Sequence, residues 1–128
     1  MKLLLDTHAF YWWVAVKAKL SPQALAAISA VDNEVHVSIS SAWEMAIKVG
    51  MGKWPGAVEI VNEFEQNAGV ESFRILPITV PHVRLAGLMS SPHRDPFDRL
   101  LAAQAQIEGL TLVTADPKVQ ALGAPWLW

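Results

Sequence analysis

The feature that most constrains this chain is the regular alternation of short apolar runs with longer amphipathic segments. Each apolar run has the length of a β-strand, and most of the intervening segments carry apolar side chains at helical spacing. The predicted strands are residues 2–5, 34–39, 73–78 and 110–114. Strands that alternate with helices pair in parallel, because each helix carries the chain back to the start of the next strand. The sequence therefore predicts an α/β fold: a three-layer α/β/α domain with a central, mostly parallel sheet of four or five strands.

Residues that favour helix ends mark the predicted helices. Ser21-Pro22 is typical of a helix start, because serine caps the first turn and proline at the first position loses no hydrogen bond. Gly109 is typical of a helix end, and Pro77 places its strand near a sheet edge because proline has no amide hydrogen to donate. The first predicted helix begins after Asp6-Thr7, and a short last helix begins at Asp116-Pro117. The others run from Ser21 to about Val31, from a Ser40-Ser41 cap to the glycines at 50 and 52, from Gly56 to about Asn67, from Thr79 through Leu88 and from Phe97 to Glu108.

Composition excludes several classes of protein. The chain has no cysteine, which excludes disulfide scaffolds, cysteine zinc sites and thiol nucleophiles. Its 10 basic and 12 acidic residues give a net charge of -2, which excludes a strongly basic arm that binds nucleic acid by charge alone. The longest stretch without a charged residue, 20–31, is too short for a membrane span, and Asp6 interrupts the apolar start too early for a signal peptide. We therefore expect a cytoplasmic protein with one domain and no membrane segment.

Four acidic residues lie where the predicted strands and helices meet. Asp6 and Asp116 follow apolar strands. Glu44 is predicted in the first turn of the helix after the second strand, and Asp98 in the first turn of the helix before the last strand. In a parallel sheet these positions face one edge, and carboxylates that converge there repel one another unless cations neutralise them. Oxygen ligands favour Mg²⁺ or Mn²⁺ over zinc, and paired divalent ions about 3.5 to 4 Å apart are typical of in-line attack on a phosphodiester.

Each of these acids also has a purely structural interpretation. Asp6 and Asp116 can cap the helices that follow them, and Asp95 before Pro96 is typical of a helix start. The Ser-Ala-Trp-Glu segment at 41–44 matches a capping box, in which the glutamate bonds back to the amide of the cap. A single acid therefore decides nothing, and the argument depends on the joint placement of the four at one sheet edge.

Other residue types give weaker signals. No nucleophile elbow and no glycine-rich phosphate loop is present. The six tryptophans are many for one small core, so some are expected to face a partner; a tryptophan-rich core with an exposed tail is the alternative. The histidines lack the spacing of metal ligands and are interpreted as structural: His8, His36, His82 and His93.

Four segments together resemble a known family. They are Leu-Leu-Leu-Asp-Thr-His at 3–8, Ser-Ala-Trp-Glu-Met-Ala-Ile-Lys at 41–48, His-Arg-Asp-Pro-Phe-Asp-Arg-Leu-Leu-Ala-Ala-Gln-Ala at 93–105, and Thr-Leu-Val-Thr-Ala-Asp at 111–116. In this order and spacing they resemble the PIN-domain ribonucleases, particularly the VapC-type toxins of bacterial toxin-antitoxin pairs. The resemblance runs from Leu3 to about Leu122 and implies a single PIN-like domain over residues 1–128.

The resemblance implies an endoribonuclease that cleaves RNA with Mg²⁺ or Mn²⁺ as its cofactor. It implies that Asp6, Glu44, Asp98 and Asp116 form the acidic quartet of the site and that Asp95 is an accessory acid. It further implies a toxin that inhibits translation and growth until a cognate antitoxin neutralises it. The carboxyl-terminal segment of that antitoxin would cover the tryptophan-rich groove and the site. A homodimer, alone or within a larger toxin-antitoxin assembly, is also implied.

The residue types are compatible with these roles. Asp6 and Asp98 are the predicted direct metal ligands. Glu44 is predicted to be a ligand or to orient the attacking water, and Asp116 to be an outer ligand. The remaining predictions are hydrogen bonds from Thr7 and Thr114 to the carboxylates or to a metal-bound water, and phosphate contacts from Lys48, Arg94 and Arg99, for which surface ion pairs are the alternative.

Two other functional classes stay open from the residues alone. A non-catalytic α/β protein-interaction module would use the same acids only as helix caps. A phosphotransfer enzyme of the haloacid dehalogenase type would need an acid two residues after Asp6, where this chain has His8. Without the four site acids the chain has 8 acidic and 10 basic residues, a net charge of +2, so RNA affinity is expected to depend on metal.

Overall fold

In the computed structural model, which describes all 128 residues, five strands form a single sheet. The strands are β1 Lys2–Leu5, β2 Glu34–Ser38, β3 Arg74–Leu76, β4 Thr111–Val113 and β5 Trp126–Leu127. The helices are α1 Thr7–Ala15, α2 Pro22–Ser29, α3 Ile39–Gly50, α4 Val58–Asn62, α5 Phe64–Val70, α6 Val80–Leu88, α7 Pro96–Glu108 and α8 Pro117–Gln120. They cover both faces of the sheet, so the predicted three-layer α/β/α fold is confirmed.

The sheet has the strand order β3-β2-β1-β4-β5, and every neighbouring pair is parallel. β1 is central, because Leu3 pairs with Val35 of β2 on one side and with Thr111 of β4 on the other. The chain first builds outward from β1 through β2 and β3, and then crosses to the opposite side for β4 and β5. Such a reversal opens a crevice at the carboxyl ends of the strands, here between β1 and β4.

Alternate residues of β1 face opposite layers, which explains its uninterrupted run of leucines. Leu3 and Leu5 belong to a core cluster of 18 buried residues shared with α1 to α5, whereas Leu4 belongs to a cluster of 9 shared with α7 and α8. A sheet covered by helices on both faces needs an apolar side chain at every strand position. α6 then packs on the outer side of α7 through Ala86 and Leu100.

Helix α3 begins earlier than predicted. The Ser38 hydroxyl oxygen accepts a hydrogen bond from the Ser40 amide at 3.0 Å, so Ser38 is the cap and Ser40 and Ser41 lie inside the helix. The predicted strand 34–39 accordingly ends at Ser38, which is also its last residue paired with β3. Because the helix starts at Ile39, the predicted capping box at 41–44 is wrong.

The predicted single helix from Gly56 to Asn67 is also wrong as one element. A 3₁₀ turn at Pro55–Ala57 leads into α4, and Glu63 leaves the helical conformation before α5 begins. Ile60 of α4 and Phe64 of α5 nevertheless bury themselves in the same core cluster. The apolar spacing thus predicted the buried face correctly but not the break in the backbone.

The other predicted boundaries agree closely with the structure. Thr79 caps α6 in a capping box completed by the His82 side chain, and Gly109 ends α7 with a left-handed φ of 68°. β3 lies at a sheet edge, as Pro77 predicted, while the short edge strand β5 was not among the predicted runs. None of the helices combines the length and the apolar character that crossing a lipid bilayer requires.

Candidate active site

A pocket of about 470 Å³ opens at the carboxyl ends of β1 and β4, beside the amino-terminal half of α3. The structure brings all four acids of the predicted quartet to this pocket, together with the predicted accessory acid. The lining residues are Asp6, Thr7, His8, Trp12, Glu44, Lys48, Asp95, Asp98, Ala115, Asp116, Pro117 and Val119. Their roles in binding metal or substrate stay predictions.

Asp6 is both a helix cap and a pocket residue. Its backbone amide donates to the carbonyl of Val113 at 3.1 Å, which fixes it between β1 and β4. One carboxylate oxygen, Oδ1, accepts from the Ala9 amide at 2.7 Å and caps α1. Burial raises the pKa of Asp6 to about 6, and the charges of Asp98 and Glu44 add to this increase, while hydrogen bonding lowers the pKa in part.

Glu44 lies in the second turn of α3 and is buried, with its side chain only 7% exposed. It accepts from the Lys48 ammonium at 2.9 Å, one helical turn further along the same helix. Since Ser41 is inside the helix, its hydroxyl is free to accept a hydrogen bond from the Thr7 hydroxyl at 3.0 Å. This contact joins the start of α1 to α3 beneath the pocket. Thr7 therefore helps to position the helix that carries Glu44.

Asp95 and Asp98 enter the pocket from the start of α7. Asp95 caps the helix, because its Oδ1 accepts from the amides of Phe97 at 2.9 Å and Asp98 at 3.1 Å. Asp98 is held by the His93 ring, whose Nε2 lies 2.7 Å from Oδ2. Burial raises the pKa of Asp98 to about 6, and the charge of Asp95 adds to the increase, which the hydrogen bond to His93 opposes.

His93 is a functional candidate that the sequence interpretation missed. Sequence spacing assigned it a structural role, yet it is the only residue whose side chain directly holds the Asp98 carboxylate. The available signal was its position five residues before Asp98, in the loop that leads into the helix start. A histidine at such a distance reaches the carboxylate only because the loop folds back, which spacing alone does not indicate.

Asp116 lies at the exposed rim of the pocket. Its Oδ1 accepts from the Lys118 amide at 2.9 Å and caps α8, while its own amide donates to the Thr114 hydroxyl at 3.1 Å. Thr114 is fully buried and close enough to Asp6 to favour the ionised form of that carboxylate. Thr114 therefore links the two acids that follow the central strands β1 and β4.

The predicted phosphate-binding bases divide between two pockets. Lys48 lines the acidic pocket, but Arg94 and Arg99 line a separate pocket of about 360 Å³ between α3, α6 and α7. The Arg99 guanidinium donates to the backbone carbonyls of Ala86 and Met89 at the end of α6. The structure therefore does not bring these two arginines to the acidic pocket, and it gives Arg99 a structural contact instead.

The pocket lining also includes two rings that the sequence interpretation did not assign to the site, His8 and Trp12. His8 stacks on Trp54 with ring centroids 5.0 Å apart. Partial desolvation of its ring by these neighbours, together with the nearby Lys48 charge, lowers its pKa and favours the neutral ring. Among the tryptophans only Trp13 is buried in the core, while Trp43 and Trp126 are 57% and 48% exposed. A purely tryptophan-rich core is therefore not what the chain forms.

The donor chemistry of the pocket fits a hard divalent cation. Five carboxylates and one lysine line it, and the raised pKa values of Asp6 and Asp98 reflect burial and mutual repulsion that a bound cation would relieve. As the side chains stand, no three acidic or histidine residues converge closely enough to enclose an ion. Lys48 contacts Glu44 through Oε2 alone, and His93 contacts Asp98 through Oδ2 alone, so the second oxygen of each carboxylate is left for a cation.

Sequence comparisons identify relatives along nearly the whole chain. Residues 3–124 match the family model of the PIN domain. The chain is 35% identical over 120 residues to Ribonuclease VapC22 of Mycobacterium tuberculosis, and the alignment covers 93% of this chain and 90% of that protein.

Solved structures with the same fold include complexes. VapBC2 from Rickettsia felis, bound to a DNA fragment from its promoter, matches with a TM-score of 0.71 at 18% identity, over 99% of this chain and 98% of that chain. FitAcB from Neisseria gonorrhoeae matches with a TM-score of 0.70 at 19% identity, over 100% and 97% respectively. At such low identity the likeness to these two structures shows the shared fold alone.

Proposed function

The chain belongs to the PIN domain family, and on this premise we propose that it is an endoribonuclease that hydrolyses RNA phosphodiester bonds with Mg²⁺ or Mn²⁺. The observation that carries the proposal is the convergence of Asp6, Glu44, Asp95, Asp98 and Asp116 on one pocket. Two of these carboxylates have a pKa raised to about 6, which is typical of sites that exchange protons or bind cations. The relative from Mycobacterium tuberculosis is named as a ribonuclease, which supports the same activity.

Asp6 and Asp98 are proposed as the direct metal ligands, with Glu44 as a further ligand or as the group that orients water. Asp116, at the exposed rim, is proposed as an outer ligand, and Asp95 as an accessory acid that fixes the start of α7. When bound, Mg²⁺ or Mn²⁺ supplies charge neutralisation at the phosphate and a lower pKa for an attacking water.

The remaining residues orient these groups. His93 holds the Asp98 carboxylate, and Thr7 and Thr114 fix the starts of the segments that carry the acids. The Lys48 side chain is 39% exposed and can reach a substrate phosphate, although it pairs with Glu44 when no substrate is there. Lys48 is therefore the proposed phosphate contact within the pocket, whereas Arg94 can act only on a more distant part of the RNA.

The proposed biological role is that of a toxin in a toxin-antitoxin pair. Cleavage of RNA would inhibit translation and growth until a cognate antitoxin blocks the pocket. A structural relative from Klebsiella pneumoniae is a toxin-antitoxin complex, which supports a protein partner of this kind. Exposed apolar side chains such as Trp43, Val83 and Leu88 also favour an interface, here proposed for a homodimer or a larger assembly. We take residues 1–128 as a single PIN-like domain that acts in the cytoplasm.

Cleavage of a labelled RNA by the purified chain tests the proposed activity. We expect cleavage with Mn²⁺ or Mg²⁺, none with EDTA, and a loss of at least about 100-fold in Asp6→Asn, because one removed ligand misplaces both metal and water. Asp32→Asn is the matched control, since Asp32 is exposed in the turn before β2 and far from the pocket. Full activity of a folded Asp6→Asn variant, or of the wild type in EDTA, would refute the proposal.

One observation favours a second candidate, a non-catalytic protein-interaction module. Asp6, Asp95 and Asp116 each accept a backbone hydrogen bond as a helix cap, which is a sufficient structural reason for three of the five acids. Such a module would cleave no RNA with any divalent ion. It would also bind Mn²⁺ no better than the Asp6→Asn variant does, which a calorimetric titration of both proteins measures.

A further inference from the structure

Five aromatic rings form a continuous row beside the acidic pocket. In order of contact they are Trp128, Trp12, His8, Trp54 and Tyr11, and we call this row the aromatic rim. The ring centroids of successive members lie 5.7, 5.5, 5.0 and 4.9 Å apart. Segments distant in sequence, from α1, the turn before α4 and the carboxyl terminus, contribute to this row, so the tertiary structure alone assembles it.

The aromatic rim has one side in the core and the other in solvent. Tyr11, Trp12, Trp54 and Trp128 are only partly buried and pack against the main core cluster with their inner edges. His8, at the centre of the row, is exposed. His8 and Trp54 are stacked at 25°, and the other successive rings are tilted by 51 to 59°, so the row presents several separate apolar ring surfaces at little cost in conformational entropy.

The aromatic rim is continuous with the candidate active site. His8 and Trp12 line the acidic pocket, and His8 is only two residues from Asp6. The Lys48 ammonium, which pairs with Glu44, also lies 5.6 Å from the centroid of the Trp54 ring. A molecule whose phosphate occupies the pocket would therefore extend over the rings.

Basic residues accompany the rings. The charges of Lys48 and Lys19 lower the pKa of His8, against the opposite effect of Glu44 and Asp116 on the pocket side, and Lys53 precedes Trp54 and is exposed. Rings interleaved with lysines are typical of surfaces that bind single-stranded nucleic acid, in which bases stack on the rings and lysines attract the phosphates. An apolar protein segment would not need the positive charge that Lys48 places beside the Trp54 ring.

We propose that the aromatic rim binds unpaired bases of an RNA strand next to the phosphate that occupies the acidic pocket. This inference rests on the proposed function, and it adds a surface of this chain that holds bases beside the cleaved phosphate. Bases inside a duplex already stack on each other and cannot stack on the rim. The binding is independent of base identity where it depends on stacking alone, because every base has an aromatic face.

The test compares two labelled oligomers of equal length, a single-stranded RNA of mixed sequence and the same sugar-phosphate chain without bases. Their dissociation constants are measured by fluorescence anisotropy with the Asp6→Asn variant in Mg²⁺, so that cleavage does not interfere. We expect the RNA to bind at least about fivefold more tightly than the base-free chain, the effect of one base stack or more. Trp54→Leu on this background should reduce that ratio towards one, and so should His8→Ala, which removes an exposed ring and spares the core.

Trp43→Leu is the matched control, because Trp43 is an exposed indole that contacts Phe97 on the other side of α3 and lies outside the aromatic rim. It should retain the full ratio between the two oligomers. Thermal unfolding of each variant verifies that it is folded.

Three results would overturn the inference. Equal binding of RNA and base-free chain by the parent protein is one, and an equal loss in Trp54→Leu and Trp43→Leu is another. The third is a ratio of RNA to base-free affinity that stays unchanged in Trp54→Leu and His8→Ala, while both variants bind the antitoxin more weakly. That result would assign the rim to the protein partner. Cleavage by the wild type separates this inference from the proposed function. No cleavage with Mg²⁺ or Mn²⁺ refutes the proposed function whatever the binding ratio, whereas cleavage together with equal binding of RNA and base-free chain refutes the rim alone.

Discussion

Asp6 shows how one residue combines a structural and a functional demand. Its carboxylate caps α1, yet it is buried beside two other acids. Its pKa of about 6 means that the folded protein disfavours the ionised form of this side chain. An uncharged cap of the same shape would satisfy the helix equally well, because asparagine and aspartate are equivalent caps. The stability of the fold therefore gives no reason for a charge at this position, whereas the proposed metal role does.

Asp6→Asn is therefore expected to stabilise the metal-free protein at neutral pH. The pKa rises from 3.8 in the unfolded chain to about 6 in the folded one, so protons bind the folded state more tightly. The contribution of this group to stability is complete below the unfolded pKa and is lost as the pH rises through about 6. The variant should be more stable than the wild type by up to about 3 kcal/mol near pH 7.5, and the difference should shrink towards pH 4.

Urea unfolding in EDTA at both pH values measures this difference. Asp32→Asn is again the control, because an exposed aspartate should change stability by less than about 0.5 kcal/mol. A variant less stable than the wild type at neutral pH would show that the lost charge was favourable in the fold, contrary to the burial argument.

At the scale of elements, the junction between β2 and α3 decides where Glu44 lies. A buried polar network fixes this junction: the Ser38 hydroxyl donates to Gln104 Oε1 of α7 at 2.6 Å, and Gln104 Nε2 donates to the carbonyl of Pro77 after β3 at 3.2 Å. Gln104 is fully buried and also contacts His82, which is itself buried. One side chain of α7 thus holds the ends of two neighbouring strands.

Gln104→Leu is expected to destabilise the protein by about 2 to 4 kcal/mol, because it keeps the volume but leaves the Ser38 hydroxyl and the Pro77 carbonyl without their partner. Gln106→Leu on the same helix is the matched control. Its amide donates to the carbonyl of Leu122 at 3.2 Å from an exposed position, so its loss should cost no more than about 1 kcal/mol. Urea unfolding measures the free energy of unfolding of both variants. An equal decrease in the two would show that the buried network stabilises the protein no more than one exposed hydrogen bond does.

At the scale of the whole molecule, the net charge of -2 conceals an uneven distribution. Five acids share one pocket with a single lysine, while the aromatic rim beside it is accompanied by lysines. An RNA strand that crosses both surfaces meets attraction at the rim and repulsion at the pocket. The position of a charged residue should therefore affect RNA affinity more than the net charge of the chain does.

The double variant Asp98→Asn/Asp116→Asn is expected to bind single-stranded RNA about tenfold more tightly than the wild type in EDTA at low salt, because it removes two charges next to the phosphate. Glu59→Gln/Glu65→Gln removes the same total charge from exposed positions on α4 and α5 and should change the affinity by less than about twofold. Fluorescence anisotropy measures both. The same gain in both double variants would mean that net charge alone governs binding.

The local sequence determined the fold class and the edge of the sheet at which the acids lie. Strand and helix periods are properties of neighbouring residues, so the run Leu3-Leu4-Leu5, the caps at Thr79 and Asp95 and the left-handed Gly109 could all be predicted. Because parallel strands end at a common edge, the positions of Asp6 and Asp116 after strands, and of Glu44 and Asp98 near helix starts, were enough to predict their meeting in one pocket.

Tertiary structure alone decided how these side chains are partnered. The sequence predicted a Ser40-Ser41 cap for α3, whereas the structure uses Ser38, which pairs with β3 and contacts Gln104. In the same way, contacts between distant segments assigned His93 to Asp98 and Arg99 to the end of α6. They also built the aromatic rim from three separate parts of the chain. Such contacts depend on how layers pack against each other, which no local period or spacing in the sequence specifies.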